Sequence, residues 1–244
     1  MSEVGEVLVD KAEKIVKKAS EILRSPVENW LEKKLRRFEV HVKGAEIIQN
    51  LKGPFIVASN HIHPRGKGLE TLGIGPDSFI IRRAVNQATG KRMRIVVKYD
   101  LDEFQARRLP PRLLRFIEQS QKNIFLSASE IPIKKSGGGI DFVHAFRDAV
   151  ESGDPILMYP QGDWASDFSS KQEIKPGVSH LGKEYNLPVV PAYIKGCASW
   201  EPSQPVHLIF GEPIFPADLS REEISEKIKQ AILSLQSNTH SKSE

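Results

Sequence analysis

Apolar residues in this chain fall into short continuous runs, separated by stretches in which they recur at helical spacing. Phe55–Ser59, started by Gly53-Pro54, is a run of the length of a buried strand. Runs at 93–98, 124–127, 155–159, 188–194 and 206–210 read the same way, and 38–43 makes a short strand ahead of Gly44. Helical spacing marks 78–88, 110–121, 139–152, 175–185 and 220–235. Regular alternation of this kind predicts βαβ units. The expected fold is therefore α/β, with a mostly parallel or mixed central sheet flanked by helices.

Two amphipathic helices are expected ahead of the first strand. Val4, Val7, Leu8, Ala12, Ile15, Val16, Ala19, Ile22 and Leu23 lie on one stripe, with Lys11, Lys14, Lys17 and Lys18 between them. Ser25-Pro26 ends the first helix. The second covers 26–37 and closes on Lys33, Lys34, Arg36 and Arg37, which suit a helix carboxyl end. Such a pair either packs on the domain or lies on a membrane surface. The residues after Leu235 are polar, and a frayed end is expected there. The pattern thus predicts N-terminal helices at 1–37, one α/β domain at 38–235 and a flexible tail at 236–244, with no internal repeat or interdomain linker.

Composition narrows the function classes. A chain of 244 residues with 39% hydrophobic and 27% charged residues is an ordinary globule with enough length for a full core. It has no run of 18 apolar residues and no secretory pattern. The single cysteine, Cys197, excludes an internal disulfide and fits a reducing compartment. The net charge is only +4, but residues 82–115 hold ten Lys/Arg against Asp100, Asp102 and Glu103. A basic stretch of this kind attracts anionic headgroups, a phosphorylated cofactor, an acidic carrier protein or nucleic acid. No aromatic interleaving accompanies these cations, which argues against nucleic acid. Arg112 and Arg115 beside Leu113, Leu114 and Phe116 suit an interfacial helix better.

Four segments at strand ends carry candidate chemistry. Ser59-Asn60-His61 places a histidine just past a strand, where open α/β sheets hold their ligands. Its near-neutral pKa suits a general base, although a helix-capping or core-edge histidine fits the dipeptide as well. Lys134-Lys135-Ser136-Gly137-Gly138-Gly139 pairs cations with a flexible turn opening a helix, an arrangement suited to anions. Tyr159-Pro160-Gln161-Gly162-Asp163-Trp164 follows the 155–159 strand directly, and Val190-Pro191 kinks a later one. His61-x-His63 lacks any acid or cysteine cluster at zinc spacing, so no metal is expected.

Taken in order, Asn60-His61, Ile131–Lys135, Tyr159–Gly162 and Val190-Pro191 resemble the motifs of the glycerolipid acyltransferase family, of the lysophosphatidic acid acyltransferase type. Val42–Glu46, Arg94–Lys98, Ile174–Gly177 and Phe210–Pro213 extend the resemblance over about residues 40–215. The chain departs from the pattern where Gly66 stands in place of the aspartate of Asn-His-x4-Asp, and residues 62–76 look like an insertion. Aligned backwards from Lys98, Asp77 takes that aspartate's place, with Glu70 in reserve. Lys135 stands for an arginine, Gln161 for a glutamate, and Trp164 for the arginine that helps hold an acceptor phosphate.

The resemblance implies acyl transfer from a coenzyme A or acyl carrier protein thioester to a hydroxyl of a lysophospholipid or related glycolipid. His61 would be the base and Asp77 its orienting acid. Asn60, Lys98, Lys134, Lys135, Gln161, Gly162 and Asp163 would bind substrate, with backbone amides near Gly162 serving the oxyanion. It implies no cofactor beyond the thioester co-substrate. The protein would be cytoplasmic and peripheral at the inner face of the membrane, with acyl carrier protein a candidate partner. The displaced acid and the changes at Gln161 and Trp164 leave one alternative: a catalytically silent relative that binds lipid or membrane.

Overall fold

Strands buried on both faces need no polar side, so their sequences run apolar without alternation. In the computed structural model, which describes residues 29–66, 75–99, 110–134, 139–165 and 168–240, Ile56, Val57, Ala58, Ile156, Leu157, Val189 and Val190 are fully buried. The elements begin with β1 (Val40–Lys43), α1 (Ala45–Gln49), β2 (Ile56–Ser59), α2 (Asp77–Thr89), β3 (Arg94–Lys98), α3 (Pro111–Ser127) and β4 (Ile131–Ile133). They continue with α4 (Ile140–Glu151), β5 (Ile156–Met158), α5 (Gly177–Glu184), β6 (Val189–Lys195), β7 (Val206–Phe210) and α6 (Arg221–His240). The fold class is α/β, within the expected mostly parallel or mixed sheet, and the antiparallel β6–β7 pair makes it mixed.

The chain forms two compact units. The larger holds Lys33–Arg94 and Ala149–Glu244, and the smaller includes Ile95–Asp148. The boundaries cut through β3 and α4, so no Pro-, Gly- or Ser-rich linker announces them.

In the larger unit five strands lie in the order β1-β7-β6-β2-β5. β2 pairs in parallel with both β5 and β6, β1 pairs in parallel with β7, and only β6–β7 is antiparallel. α5 and α6 pack on each other and on the strands β2, β6 and β7, while α1 packs against α2 and β7. α6 opens on a capping box: Glu223 N–H donates to Ser220 Oγ at 3.1 Å, and Ser220 N–H donates to Glu223 Oε2 at 2.7 Å. Its buried stripe is Ile224, Ile228 and Ile232, one residue per turn, each contributing roughly 2 kcal/mol of burial.

In the smaller unit β3 and β4 pair in parallel, with Val96 opposite Ile131. Glu130, itself buried, accepts the Ile95 N–H at 2.8 Å and so ties the start of β4 to β3. Lys122 of α3 bonds Asp141 of α4 at 3.0 Å.

Two expectations are corrected. Residues 124–127 are not a strand but the last turn of α3; a run of three apolar residues, Ile124–Leu126, reads equally as either, and here it lies within the helix. The helix is closed just beyond its end by Ser129, which takes a left-handed φ of 59° while its N–H and that of Glu130 return to the Leu126 and Phe125 carbonyls at 2.9 Å. The tail predicted from residue 236 is helical through His240. Lys195 Nζ donates to the Thr239 carbonyl at 3.0 Å and closes that end. Residues 29–35 are helical within the predicted 26–37 helix, and the first predicted helix lies outside the described residues.

Candidate active site

Parallel neighbours deliver their following loops to the same end of a sheet. Ile56, Val57 and Ala58 of β2 stand opposite Ile156, Leu157 and Met158 of β5, so Asn60-His61 and Tyr159 leave the sheet side by side. The His61 imidazole lies flat on the Tyr159 ring, with centroids 3.7 Å apart and planes 11° from parallel. A second tie comes from the 161–165 loop. Gln161 Oε1 accepts the His61 N–H at 2.8 Å, Ala165 N–H donates to the His61 carbonyl at 3.0 Å, and His63 N–H donates to the Ala165 carbonyl at 3.1 Å. The histidine's backbone and ring face are thereby fixed before its charge partner is considered.

That partner is Asp77, the first residue of α2. Its Oδ2 lies 2.7 Å from His61 Nδ1 across a separation of 16 residues. A carboxylate can only accept, so Nδ1 carries the proton and Nε2 presents its lone pair away from Asp77. Asp77 is 1% exposed while the His61 side chain is 19% exposed, so the acid is sealed and the ring reaches solvent. The carboxylate also accepts Ile62 N–H at 3.2 Å and Ser78 N–H at 2.8 Å. Its place at a helix amino terminus adds a favourable dipole. Gly75 allows this approach: a Cβ there would lie 3.3 Å from Asp77 Oδ1 and 3.5 Å from Pro64 Cβ.

The carboxylate is felt by two neighbouring groups. Burial, and secondly the charge on Asp77, push the Tyr159 phenol well above its ordinary pKa, and the same two causes raise the Cys197 thiol. Both groups stay neutral, so Cys197 offers no thiolate nucleophile. Trp164 is 39% exposed beside them, its ring 5.8 Å from that of His61 and 5.7 Å from that of His63. His63 Nδ1–H donates to the Pro64 carbonyl at 2.9 Å.

The other expected site residues divide. Gln161 sits at the pair, 3% exposed, and its Nε2 is a buried donor without a hydrogen-bond partner. Which amide atom faces His61 is settled by chemistry, since a backbone N–H requires the oxygen. Gly162 takes φ +69°, and its N–H donates to the Tyr159 carbonyl at 3.0 Å. Asp163 is exposed and accepts the Trp164 N–H at 2.9 Å. Asn60, expected to touch substrate, is instead 4% exposed and clamps β6. Its Nδ2 donates to the Ile194 carbonyl at 2.9 Å, and its Oδ1 accepts the Ile194 N–H at 2.8 Å. Lys98 and Lys134 are exposed in the smaller unit, with Lys134 Nζ 3.8 Å from Glu118. Glu70 and Lys135 lie outside the described residues.

The basic stretch is partly consumed within the fold. Lys91 Nζ donates to the Gly153 carbonyl at 2.9 Å, and Arg94 Nε pairs with Asp154 at 2.7 Å. Among the described residues no helix is long and apolar enough to cross a membrane.

Neither a protein-family model nor a curated protein matches the chain. Among solved structures it is similar to the crystal structure of the 1-acyl-sn-glycerophosphate (LPA) acyltransferase PlsC from Thermotoga maritima. The sequence identity is 19% and the TM-score 0.48, over 96% of this chain and 84% of that one.

Proposed function

We propose that the larger unit catalyses O-acyl transfer from a thioester, on coenzyme A or acyl carrier protein, to a hydroxyl of a lysophospholipid or related glycolipid. The observation that carries this reading is the 2.7 Å bond from a sealed Asp77 to His61, which leaves Nε2 of a partly exposed imidazole free. The pair alone would serve many reactions. The order of the sequence motifs around it narrows the choice to acyl transfer.

His61 Nε2 takes the acceptor's hydroxyl proton as its oxygen attacks the thioester carbonyl. The tetrahedral oxyanion collapses, the C–S bond breaks, and the imidazolium returns its proton to the leaving thiolate. Asp77 stabilises the imidazolium and holds its tautomer. The acceptor is itself the nucleophile, so a buried neutral Cys197 is no obstacle. Gln161 positions the base from behind, its buried amide accepting the His61 N–H at 2.8 Å. Trp164, exposed beside the base, offers its ring face to an apolar or sugar surface of the acceptor.

A thiol-release assay tests this, with acyl-CoA and acyl carrier protein donors against a panel of lysophospholipid and glycolipid acceptors. Acceptor-dependent release by the wild type that disappears in His61→Ala is expected. Release untouched by that substitution, or none with any pair, would favour the silent lipid-binding reading.

A further inference from the structure

Far along the strand order from β5, the larger unit gathers positive charge that the acyl-transfer reading does not use. In the registers of β1, β7 and β6, His41 stands opposite His207, and His207 opposite Lys195. Side chains alternate along a strand, so His41 and Lys43 project from one face of β1. These four cationic or titratable groups line a cavity of about 80 Å³ with Ile209 and two residues from the end of α6, Asn238 and Thr239. The His41 and His207 rings stack with centroids 5.2 Å apart. The acid bonded within the group is Glu39, on the rim, whose Oε1 lies 3.0 Å from His41 Nε2 and whose side chain is 69% exposed.

Closing α6 explains Lys195, which bonds the Thr239 carbonyl, and one cation suffices for that. It does not explain Lys43, His41 and His207 beside it. Lys43 and Lys195 are like charges that meet across the two histidines. Burial first, then the charges of Lys195, His41 and Lys43, hold the His207 imidazole below its ordinary pKa, with only Glu39 acting the other way. Asn238 and Thr239 bring no charge from α6. An anion among the four side chains would reverse the repulsion and accept several charge-assisted bonds at once.

We propose that this cavity binds a phosphoryl anion, either inorganic phosphate or the phosphate monoester of a headgroup, at a place separate from His61. The site does not rest on the acyl-transfer reading.

The test follows the histidine side-chain resonances of the full chain by NMR at about pH 6.5, the ordinary histidine midpoint. Inorganic phosphate is added at constant ionic strength, with chloride as the reference anion. Saturable shifts of His41 and His207 are expected, together with higher midpoints for both, while His61 stays in place. Lys43→Gln and His207→Gln, at surface-reaching positions where circular dichroism checks the fold, are each expected to weaken phosphate about tenfold. Vesicles of phosphatidylcholine with and without phosphatidic acid separate the two sources. Retention on the acidic vesicles that phosphate displaces and Lys43→Gln abolishes identifies a lipid headgroup; phosphate binding without such retention identifies a soluble phosphate. No saturable shift of either histidine, or equal phosphate binding by wild type and both variants, would overturn the site.

Discussion

His61 meets Asp77 across 16 residues, so the pair is made by the fold rather than by a local turn. Aligning the sequence backwards from Lys98 put Asp77 first and Glu70 in reserve, and the sequence left the choice between the two carboxylates open; the fold brings Asp77 to His61. What could not be read from the chain is how the histidine is held. Tyr159 and the Gln161 oxygen act only because β2 and β5 are parallel neighbours, a pairing that motif spacing does not encode. Asn60 was legible as special but not in its role, since an amide that clamps a neighbouring strand looks the same in sequence as one that touches substrate. Two consequences follow at this scale. Gln161→Ala removes the acceptor for the His61 N–H and loosens the base; kcat is expected to fall roughly tenfold with KM little changed. An unchanged kcat would show that Gln161 does not position the base. Asn60→Ala leaves both buried backbone groups of Ile194 without partners, at a cost of about 2–4 kcal/mol in denaturant unfolding. A loss near zero would show that water replaces the clamp.

Secondary elements were legible where several signals agreed. α6 carries a capping box, an isoleucine stripe and helical periodicity, and its start was placed within a residue. Its end was missed because closure comes from Lys195, a residue of β6 that the helix sequence cannot reveal. Residues 124–127 were ambiguous for a physical reason: the three apolar residues Ile124–Leu126 fit both a strand and the final turn of a helix. The capping box also yields a measurable consequence. Ser220→Ala removes the side-chain acceptor for Glu223 N–H, and a loss of about 1 kcal/mol, or roughly 2–4 °C in Tm, is expected. Glu223 titrates below its ordinary value, first because of its bond to the Ser220 backbone. Its contribution is therefore present above the unfolded carboxylate pKa and disappears as pH falls through the lowered folded value. Glu223→Gln should flatten the acid limb of the stability profile, and an unaltered limb would discount the box.

For the whole molecule, the alternation of runs sufficed for an α/β class with a mostly parallel or mixed sheet. The division into two units was invisible because its boundaries pass through β3 and α4 rather than through a linker. Charge was the least transferable signal. The ten cations of 82–115 looked like one basic face, yet Lys91 and Arg94 are engaged by Gly153 and Asp154, while the cluster at His41, Lys43, Lys195 and His207 is scattered through the sequence and assembled only by strand order. β2 and β6, central in the five-strand order and buried on both faces, should be the most protected part of the larger unit in native-state hydrogen exchange. Faster exchange there than in β1 would contradict this account of the core.

In the proposed reaction Asp77 and His61 act together to move an acyl group. That joint action is tested most directly by acceptor-dependent thiol release from an acyl thioester, compared between wild type and Asp77→Asn. The asparagine preserves size but no longer accepts the imidazole proton as a carboxylate does, so the rate should fall by about a hundredfold or more while the fold is retained. A variant that releases thiol at the wild-type rate would contradict the account.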